Sequence, residues 1–257
     1  MKYYVTADVH GYYTELMTAL TESGYFEDEE PHKLIICGDL FDRGSGAKKL
    51  QDFMLDLLAE NEVILIRGNH EDLAMELMNG WSRESYRMSY HRSNRTIDTV
   101  CQLTDTFETD IYDDPKAVGD KFSASPYIQS IIPAMRDYFE TEHYIFVHGW
   151  IPNRCIDLGQ GNKLYEFPEN WREASDKDWA DARWTNGMEA AHYGVIEKGK
   201  TIVCGHWHCS FGHCYYEGDG GEFNSTANFS PYYTEGIIAL DACTPVSRKV
   251  NCIVIED

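Results

Sequence analysis

Five short apolar runs in this chain of 257 residues end on the same punctuation, a glycine flanked by Asp, His or Asn. The first three endings are Asp8-Val9-His10-Gly11, Gly38-Asp39-Leu40-Phe41-Asp42-Arg43-Gly44 and Arg67-Gly68-Asn69-His70-Glu71. The last two are His148-Gly149 and Gly205-His206-Trp207-His208. This recurrence is the strongest constraint on the fold, because open α/β sheets bind their ligands at the carboxyl ends of the strands. The segments between have the matching rhythm. Tyr3–Ala7, Lys33–Cys37 and Glu62–Ile66 read as strands. Thr14–Leu20 and Lys48–Glu60 read as helices, the second with Leu50, Phe53, Met54, Leu57 and Leu58 at helical intervals. Alternation of this kind predicts βαβ units, and near-continuous apolar strands predict a sheet covered on both faces. Further strands are expected at His143–Val147, Thr201–Cys204, Gly236–Leu240 and Val250–Ile255. Residues 73–140 break the rhythm. They are polar and aromatic, punctuated by Pro115, Pro126 and Pro133, and are expected to form a helical insertion within a single domain spanning 1–257.

Charge narrows the function classes. Lys and Arg number 22 against 43 Asp and Glu, a formal charge of −21. Nucleic-acid duplexes and anionic membrane surfaces both require the opposite sign. An acidic protein that gathers cations fits. No apolar run approaches the ~18 residues of a membrane-crossing helix. Met1-Lys2-Tyr3-Tyr4-Val5-Thr6 meets Asp8 at once, so a folded strand and not a signal peptide is expected at this end. The eight cysteines are then expected to be reduced and mostly buried, and the protein cytoplasmic.

Carboxylate, imidazole and amide oxygen together make a mixed ligand set that suits Mn²⁺, Fe or Zn²⁺ better than Ca²⁺. Asp8 and His10 stand two apart, so on extended chain they point the same way; His206 and His208 repeat the pattern with Trp207 turned away. Five ordered motifs of this kind resemble the calcineurin-like metallophosphoesterase superfamily. Within it the chain is most similar to the phosphoprotein-phosphatase branch that includes bacterial and phage serine/threonine phosphatases. The closing Ala239-Leu240-Asp241 strand also fits.

That resemblance implies an αββα sandwich with two sheets and a two-metal site. Asp8, His10 and His208 would hold the first metal; Asn69, His148 and His206 would hold the second; Asp39 would bridge both. The metals would be Mn²⁺ or Fe, with Zn²⁺ as an alternative. Phosphate monoesters would be hydrolysed by in-line attack of a metal-bound hydroxide. Arg43 and Arg67 resemble the family's phosphate-binding arginines, whose forked guanidinium groups match phosphate oxygens. His70 resembles the general acid that protonates the leaving oxygen, with Asp42 orienting it and holding its charge.

Some residues depart from the branch. Ala7-Asp8 stands where it usually has Gly-Asp, Trp150 follows His148-Gly149 where it has a small residue, and Gly-His-Trp-His is nearer the wider superfamily. Symmetrical diadenosine-tetraphosphate hydrolases also resemble the chain, but usually lack an equivalent of Asp42-Arg43-Gly44 and carry Asp in place of Glu71. The resemblance thus implies a phosphorylated protein, nucleotide or small molecule as substrate, with a dinucleoside-polyphosphate hydrolase or a nucleotide phosphatase or phosphodiesterase as the alternative. A metal-binding scaffold without catalysis is the rival of another class, set against the presence of Asp39, His70, Arg43 and Arg67. Two lesser readings concern other residues. Arg83, Arg87, Arg92 and Arg95, beside Trp81, Tyr86, Tyr90 and His91, make either a solvated face or a lid for a second phosphate or nucleoside; Trp150 and Trp207 either stack on a base or pack. Cys204, Cys209, Cys214 and His213 make either a separate zinc site or buried thiols.

Overall fold

The computed structural model describes residues 1–79, 89–159 and 162–257. Its strands in chain order begin with β1 (Lys2–Thr6), β2 (His32–Cys37), β3 (Val63–Ile66), β4 (Phe139–Glu140), β5 (Tyr144–Phe146) and β6 (Arg154–Gly159). They continue with β7 (Asn162–Glu166), β8 (Thr201–Cys204), β9 (Tyr232–Thr234), β10 (Ile237–Ala239) and β11 (Cys252–Glu256). One sheet has the order β11-β1-β2-β3 and the other β4-β5-β8-β10-β9; β6 and β7 pair as a separate hairpin. The motif-bearing strands β1, β2 and β3 run parallel in the first sheet, and β5, β8 and β10 run parallel in the second. The outer partners β11, β4 and β9 are antiparallel.

The period of two along each strand builds the layers. Tyr3, Val5 and Ala7 face the second sheet, in one cluster with Ile35, Cys37, Ile64, Ile66, Phe146, Val203, Leu240 and Ile255. Tyr4, Leu34, Ile36, Val63 and Leu65 face away, onto helices α1 (Tyr13–Glu22) and α2 (Ala47–Ala59) through Leu16, Leu20, Leu50 and Met54. Beyond the second sheet, Ile145, Ile202, Cys204 and Ile237 pack with Trp150, Trp171, Trp179 and Met188. Helix, sheet, sheet, helix is the αββα sandwich the motifs imply. Helix α3 (Asn69–Asn79) starts directly on the third motif.

The helices between 89 and 134 do not lie apart from this core. Ile97, Val100, Ile111, Val118, Phe122 and Tyr127 join the same cluster as Leu40, Phe41, Leu50 and Met54. They therefore extend the outer layer of the first sheet and lie beside the second motif. The strands not foreseen are β4 and β9, edge strands of two and three residues, and the β6–β7 hairpin, whose β6 residues are largely exposed. None carries enough buried alternation to register as a pattern. All eight cysteines are free, but only Cys37, Cys204 and Cys209 are fully buried, and Cys155 is exposed. The expectation that most are buried is thus corrected.

Candidate active site

The motif turns are held in left-handed backbone. Asp8, His10, Asp39, Asp42, Arg43 and His206 all have positive φ, between 50° and 71°. Such a residue costs about 1–2 kcal/mol when it is not glycine, so the surroundings must fix it. Here the turns bind one another. Backbone amides of Asp8, His10 and Gly11 donate to the carbonyls of Gly38, Asp39 and Leu40 at 3.2, 2.9 and 2.8 Å, and Gly44 N donates to His10 O at 2.7 Å. Glu71, fully buried, accepts from Gly68 N at 2.7 Å, Asp39 N at 3.1 Å and Leu40 N at 3.0 Å. Two glycines are required by close approach: a Cβ on Gly68 would overlap Asp39 Oδ1, and one on Gly205 would overlap Asp8 Oδ2.

Asp39 stands between two groups of donors. Its Oδ2 lies 3.6 Å from His10 Nε2 and 3.8 Å from His70 Nε2. Its Oδ1 lies 3.3 Å from His148 Nε2 and accepts His70 N at 3.0 Å. His10, Asp39 and His70 form one cluster with metal-ligand spacing, and Asp39, His148 and His206 form another. Asp8 Oδ1 is 3.9 Å from His10 Nε2, and Asn69 Oδ1 is 2.8 Å from His148 Nε2. The histidines are pre-oriented. His10 Nδ1 donates to Phe41 O at 3.0 Å and His148 Nδ1 donates to Cys37 O at 2.8 Å, which turns both Nε2 lone pairs inward. Asp8 Oδ2 accepts His206 N at 2.9 Å.

These residues fit divalent metals. Asp8 Oδ1 and His206 Nε2 are buried with no hydrogen-bond partner among the described residues, a costly state for polar atoms that a cation or water relieves. Burial, with Asp241 and Asp39 adding to it, pushes the Asp8 carboxyl well above its usual range. Burial likewise lifts Asp241 to about 6. Burial pushes His10 and His148 down and His206 to about 3, so these imidazoles stay neutral, the form that ligates metal. Burial opposes ionisation of Asp39 too, whereas any positive charge at the surrounding His148, His70, His10 and His206 works the other way and holds Asp39 well below its usual range. Three buried carboxylates beside neutral imidazoles make a pocket that needs positive charge.

At the rim, His70 Nδ1 donates to Asp42 Oδ2 at 2.7 Å, and His70 Nε2 lies 3.2 Å from Arg43 Nη2. Burial alone would lower the His70 pKa; Asp39 and Asp42 outweigh it and raise it. Arg67 Nε lies 2.8 Å from Asp72 Oδ1 but its N–H is not aimed at it, so the contact is an ion pair without a hydrogen bond. Asp72 in turn takes a bidentate pair from buried Arg183, at 2.6 and 3.2 Å, and Arg183 also reaches Asp137 at 2.7 Å.

The calcineurin-like phosphoesterase model matches residues 1–218. The chain belongs to that family. Among curated proteins it is 33% identical over 78 residues to an asymmetrical bis(5'-nucleosyl)-tetraphosphatase of Anoxybacillus flavithermus, a match covering 28% of this chain and 32% of that one. It is 36% identical over 73 residues to serine/threonine-protein phosphatase 1 of Salmonella typhimurium, covering 28% and 31%. The matched stretches thus span about a third of either relative. A solved cold-active protein-tyrosine phosphatase of a psychrophilic Shewanella shares 17% identity at a TM-score of 0.51, over 100% of this chain and 75% of that one, a likeness of fold alone.

Of the residues assigned by the family resemblance, Asp8, His10, Asp39, Asn69, His148 and His206 converge. His208 does not join either donor cluster. Its Nε2 binds Glu222 Oε1 at 2.9 Å, and its ring lies against Trp207 and Phe223. Trp150 is 1% exposed and donates to Val195 O, so it packs in the phosphoesterase core and cannot stack on a base. Trp207 lies among His206, His208 and Phe211. A half-exposed aromatic beside the clustered histidines is instead Trp184, edge-on to His206 at 5.8 Å. Arg92 pairs with Glu108, and Arg95 with Asp98 at 2.6 Å, so neither offers a free guanidinium. Trp81, Arg83, Tyr86, Arg87 and the Tyr90 side chain lie outside the described residues. Cys209 Sγ donates to Ala239 O and His213 uses both ring nitrogens, on Glu217 and Ser230, which leaves the zinc alternative without its imidazole. Sequence reasoning missed Arg183, Asp72, Thr96 and Thr99. No motif contains the threonines or Arg183; Asp72 follows Glu71 and reads as an ordinary first-turn acid.

Proposed function

We propose that the chain is a phosphoesterase that hydrolyses phosphate monoesters with two divalent metals sharing Asp39, and that phosphorylated serine and threonine side chains are its substrates. The observation that carries this reading is Asp39 set between two donor clusters, one of which includes His70, with Arg43 Nη2 3.2 Å from His70 Nε2. Asp8, His10 and Asp39 would hold one metal, and Asp39, Asn69, His148 and His206 the other. Bound there, the metals supply Lewis-acid activation of water and of the phosphoryl group. The protein supplies the rest. Arg43 and Arg67 take phosphate oxygens, and Asp72 and Arg183 keep Arg67 at that angle. In the substrate-free geometry Arg43 donates toward His70 Nε2, so the imidazole carries its proton on Nδ1. Drawing Arg43 onto a phosphate frees Nε2 to take a proton from solvent, a form that Asp39 and Asp42 favour, and to pass it to the leaving oxygen, while Asp42 holds Nδ1–H throughout.

A dinucleoside polyphosphate is the second reading, favoured by the likeness to the Anoxybacillus tetraphosphatase. Purified protein loaded with Mn²⁺ separates the two on a panel of phosphopeptides, nucleotides and bis-nucleoside polyphosphates. The acid role is checked with His70→Asn. Expected is retained metal and a loss of about 10²–10⁴-fold on an alkyl phosphate such as phosphoserine, with a far smaller loss on para-nitrophenyl phosphate, whose leaving group needs no proton. Equal losses on both would remove His70 from that role.

A further inference from the structure

The polar face of the Thr96–Thr104 helix is spent almost wholly on one short segment of the second motif. Thr96 Oγ1 donates to Asp42 Oδ2 at 2.8 Å. Thr99 Oγ1 donates to Asp42 Oδ1 at 2.7 Å and accepts Asp42 N at 3.0 Å. One turn on, Gln102 donates to Gly44 O at 2.9 Å and accepts Ala47 N at 3.0 Å. Just before the helix, Arg95 Nη1 donates to Arg43 O at 3.0 Å. Positions 95, 96, 99 and 102 share one helical face. The opposite side of the same helix is anchored in the core by Ile97 and Val100.

The segment held this way needs holding. Asp42 and Arg43 both have left-handed φ, 71° and 65°, and Asp42 is buried. Three donors surround the Asp42 carboxylate: His70 Nδ1 and Thr96 on Oδ2, Thr99 on Oδ1. With both oxygens engaged, the carboxylate has one orientation, and the imidazole that donates to it has one direction for Nε2. Thr96 and Thr99 are themselves 0% and 1% exposed. A pair of hydroxyls buried for no purpose but packing would be replaced by valine at no cost in shape.

We infer that Thr96 and Thr99, brought by the inserted helices, are positioning residues for proton delivery: they fix Asp42, and through it the direction of His70 Nε2. This rests on the proposed acid role of His70. It assigns the 73–140 segment a part in the chemistry, beyond covering the sheet.

The experiment compares Thr96→Val/Thr99→Val with Thr96→Ser/Thr99→Ser in the Mn²⁺-loaded full chain. Turnover is measured on phosphoserine and on para-nitrophenyl phosphate. For the valine pair the expected result is a loss about 10-fold greater on phosphoserine than on the aryl ester, a fraction of the whole acid effect. KM for the aryl ester should stay within about twofold and metal content should be unchanged. The serine pair, which keeps both hydroxyls, should restore the wild-type ratio. An unchanged alkyl-to-aryl ratio in the valine pair, or a serine pair no better than the valine pair, overturns the inference. If the valine pair does not fold, Thr96→Val alone removes one of the bonds to Asp42 and should show the same preference at smaller size. A second readout separates this idea from the acid reading. In the chain loaded with diamagnetic Zn²⁺ in place of Mn²⁺, the hydrogen-bonded His70 Nδ1–H should give a low-field proton resonance, absent in His70→Asn, that broadens by exchange in the valine pair and stays sharp in the serine pair. A signal equally sharp in the valine pair overturns the positioning role whatever His70→Asn does to turnover; a broadened one beside a leaving-group-independent His70→Asn keeps the clamp and removes only the acid.

Discussion

The two sheets contribute to the site in different ways. Turns after β1, β2 and β3 carry five non-glycine residues with positive φ, and they are laced together by their own amides and by Glu71. Those after β5 and β8 carry only His206 in that conformation, and its Nε2 has no partner among the described residues. The first sheet supplies a rigid frame of carboxylates that the polypeptide maintains by itself. From the second come His148, whose inward nitrogen meets Asn69, and His206, whose inward nitrogen no described residue meets. Damage to the first half should therefore appear in the apoprotein, and damage to the second only when metal is added.

The largest effect should come where the halves meet. Asp39→Asn removes the shared charge, and we expect activity at background together with loss of at least one metal per chain, read by elemental analysis of the purified variant. Two bound metals with near-normal turnover would sink the shared-ligand assignment. Next comes a matched pair. Glu71→Gln replaces one accepting oxygen with an amide that faces backbone N–H groups, so the apoprotein should lose about 1–3 kcal/mol of stability in urea titrations. His206→Asn keeps a residue that tolerates left-handed backbone and should leave apoprotein stability within about 0.5 kcal/mol while weakening metal binding. Equal stability losses for the two variants would erase the contrast between the sheets.

A smaller effect tests the residue that the family pattern and the geometry treat differently. His208→Gln should keep two metals and most of its turnover, because His208 is turned onto Glu222. Loss of a metal would return it to the ligand set and require the Glu222 contact to break on loading. The smallest effect lies outside the site. Arg172 holds the Glu140 carboxyl down to about 2 against a usual 4.5, with Lys200 assisting. A depressed acid stabilises the fold fully above its unfolded pKa and loses that contribution as pH falls toward its folded one. Glu140→Gln should thus lower the melting temperature at pH 7 by an amount that shrinks between about pH 4.5 and 2. A difference independent of pH would show that the pair acts through packing alone.

What could be read from the sequence follows from the same division. The motif turns were legible because each joins an apolar run to a glycine and a ligand-type side chain within a few residues. Asp8, Asp39 and His148 could therefore be named as candidates, and the fold brings them together. His208 was misleading because the spacing of His206 and His208 assumes extended chain, whereas His206 has φ of 65° and the two rings diverge. Thr96, Thr99 and Arg183 were invisible for another reason. The threonines act on Asp42 from 54 and 57 positions away and Arg183 on Asp72 from 111, each from a helix or turn whose local pattern says only that it packs. The β6–β7 hairpin and the edge strands were missed because little of them is buried.

The bond from His206 N to Asp8 Oδ2 joins residues 198 positions apart, and that from His148 to the Cys37 carbonyl spans 111. Contacts so distant along the chain are late to form, since the loops they close are reached only after the intervening strands have paired. Neither sheet alone assembles a complete set of donors. The site is in this sense a latch between two half-built bodies, fastened when they dock. Metal arriving at a finished latch has no part in building it; its grip is felt as slower escape from the native state, not as faster arrival.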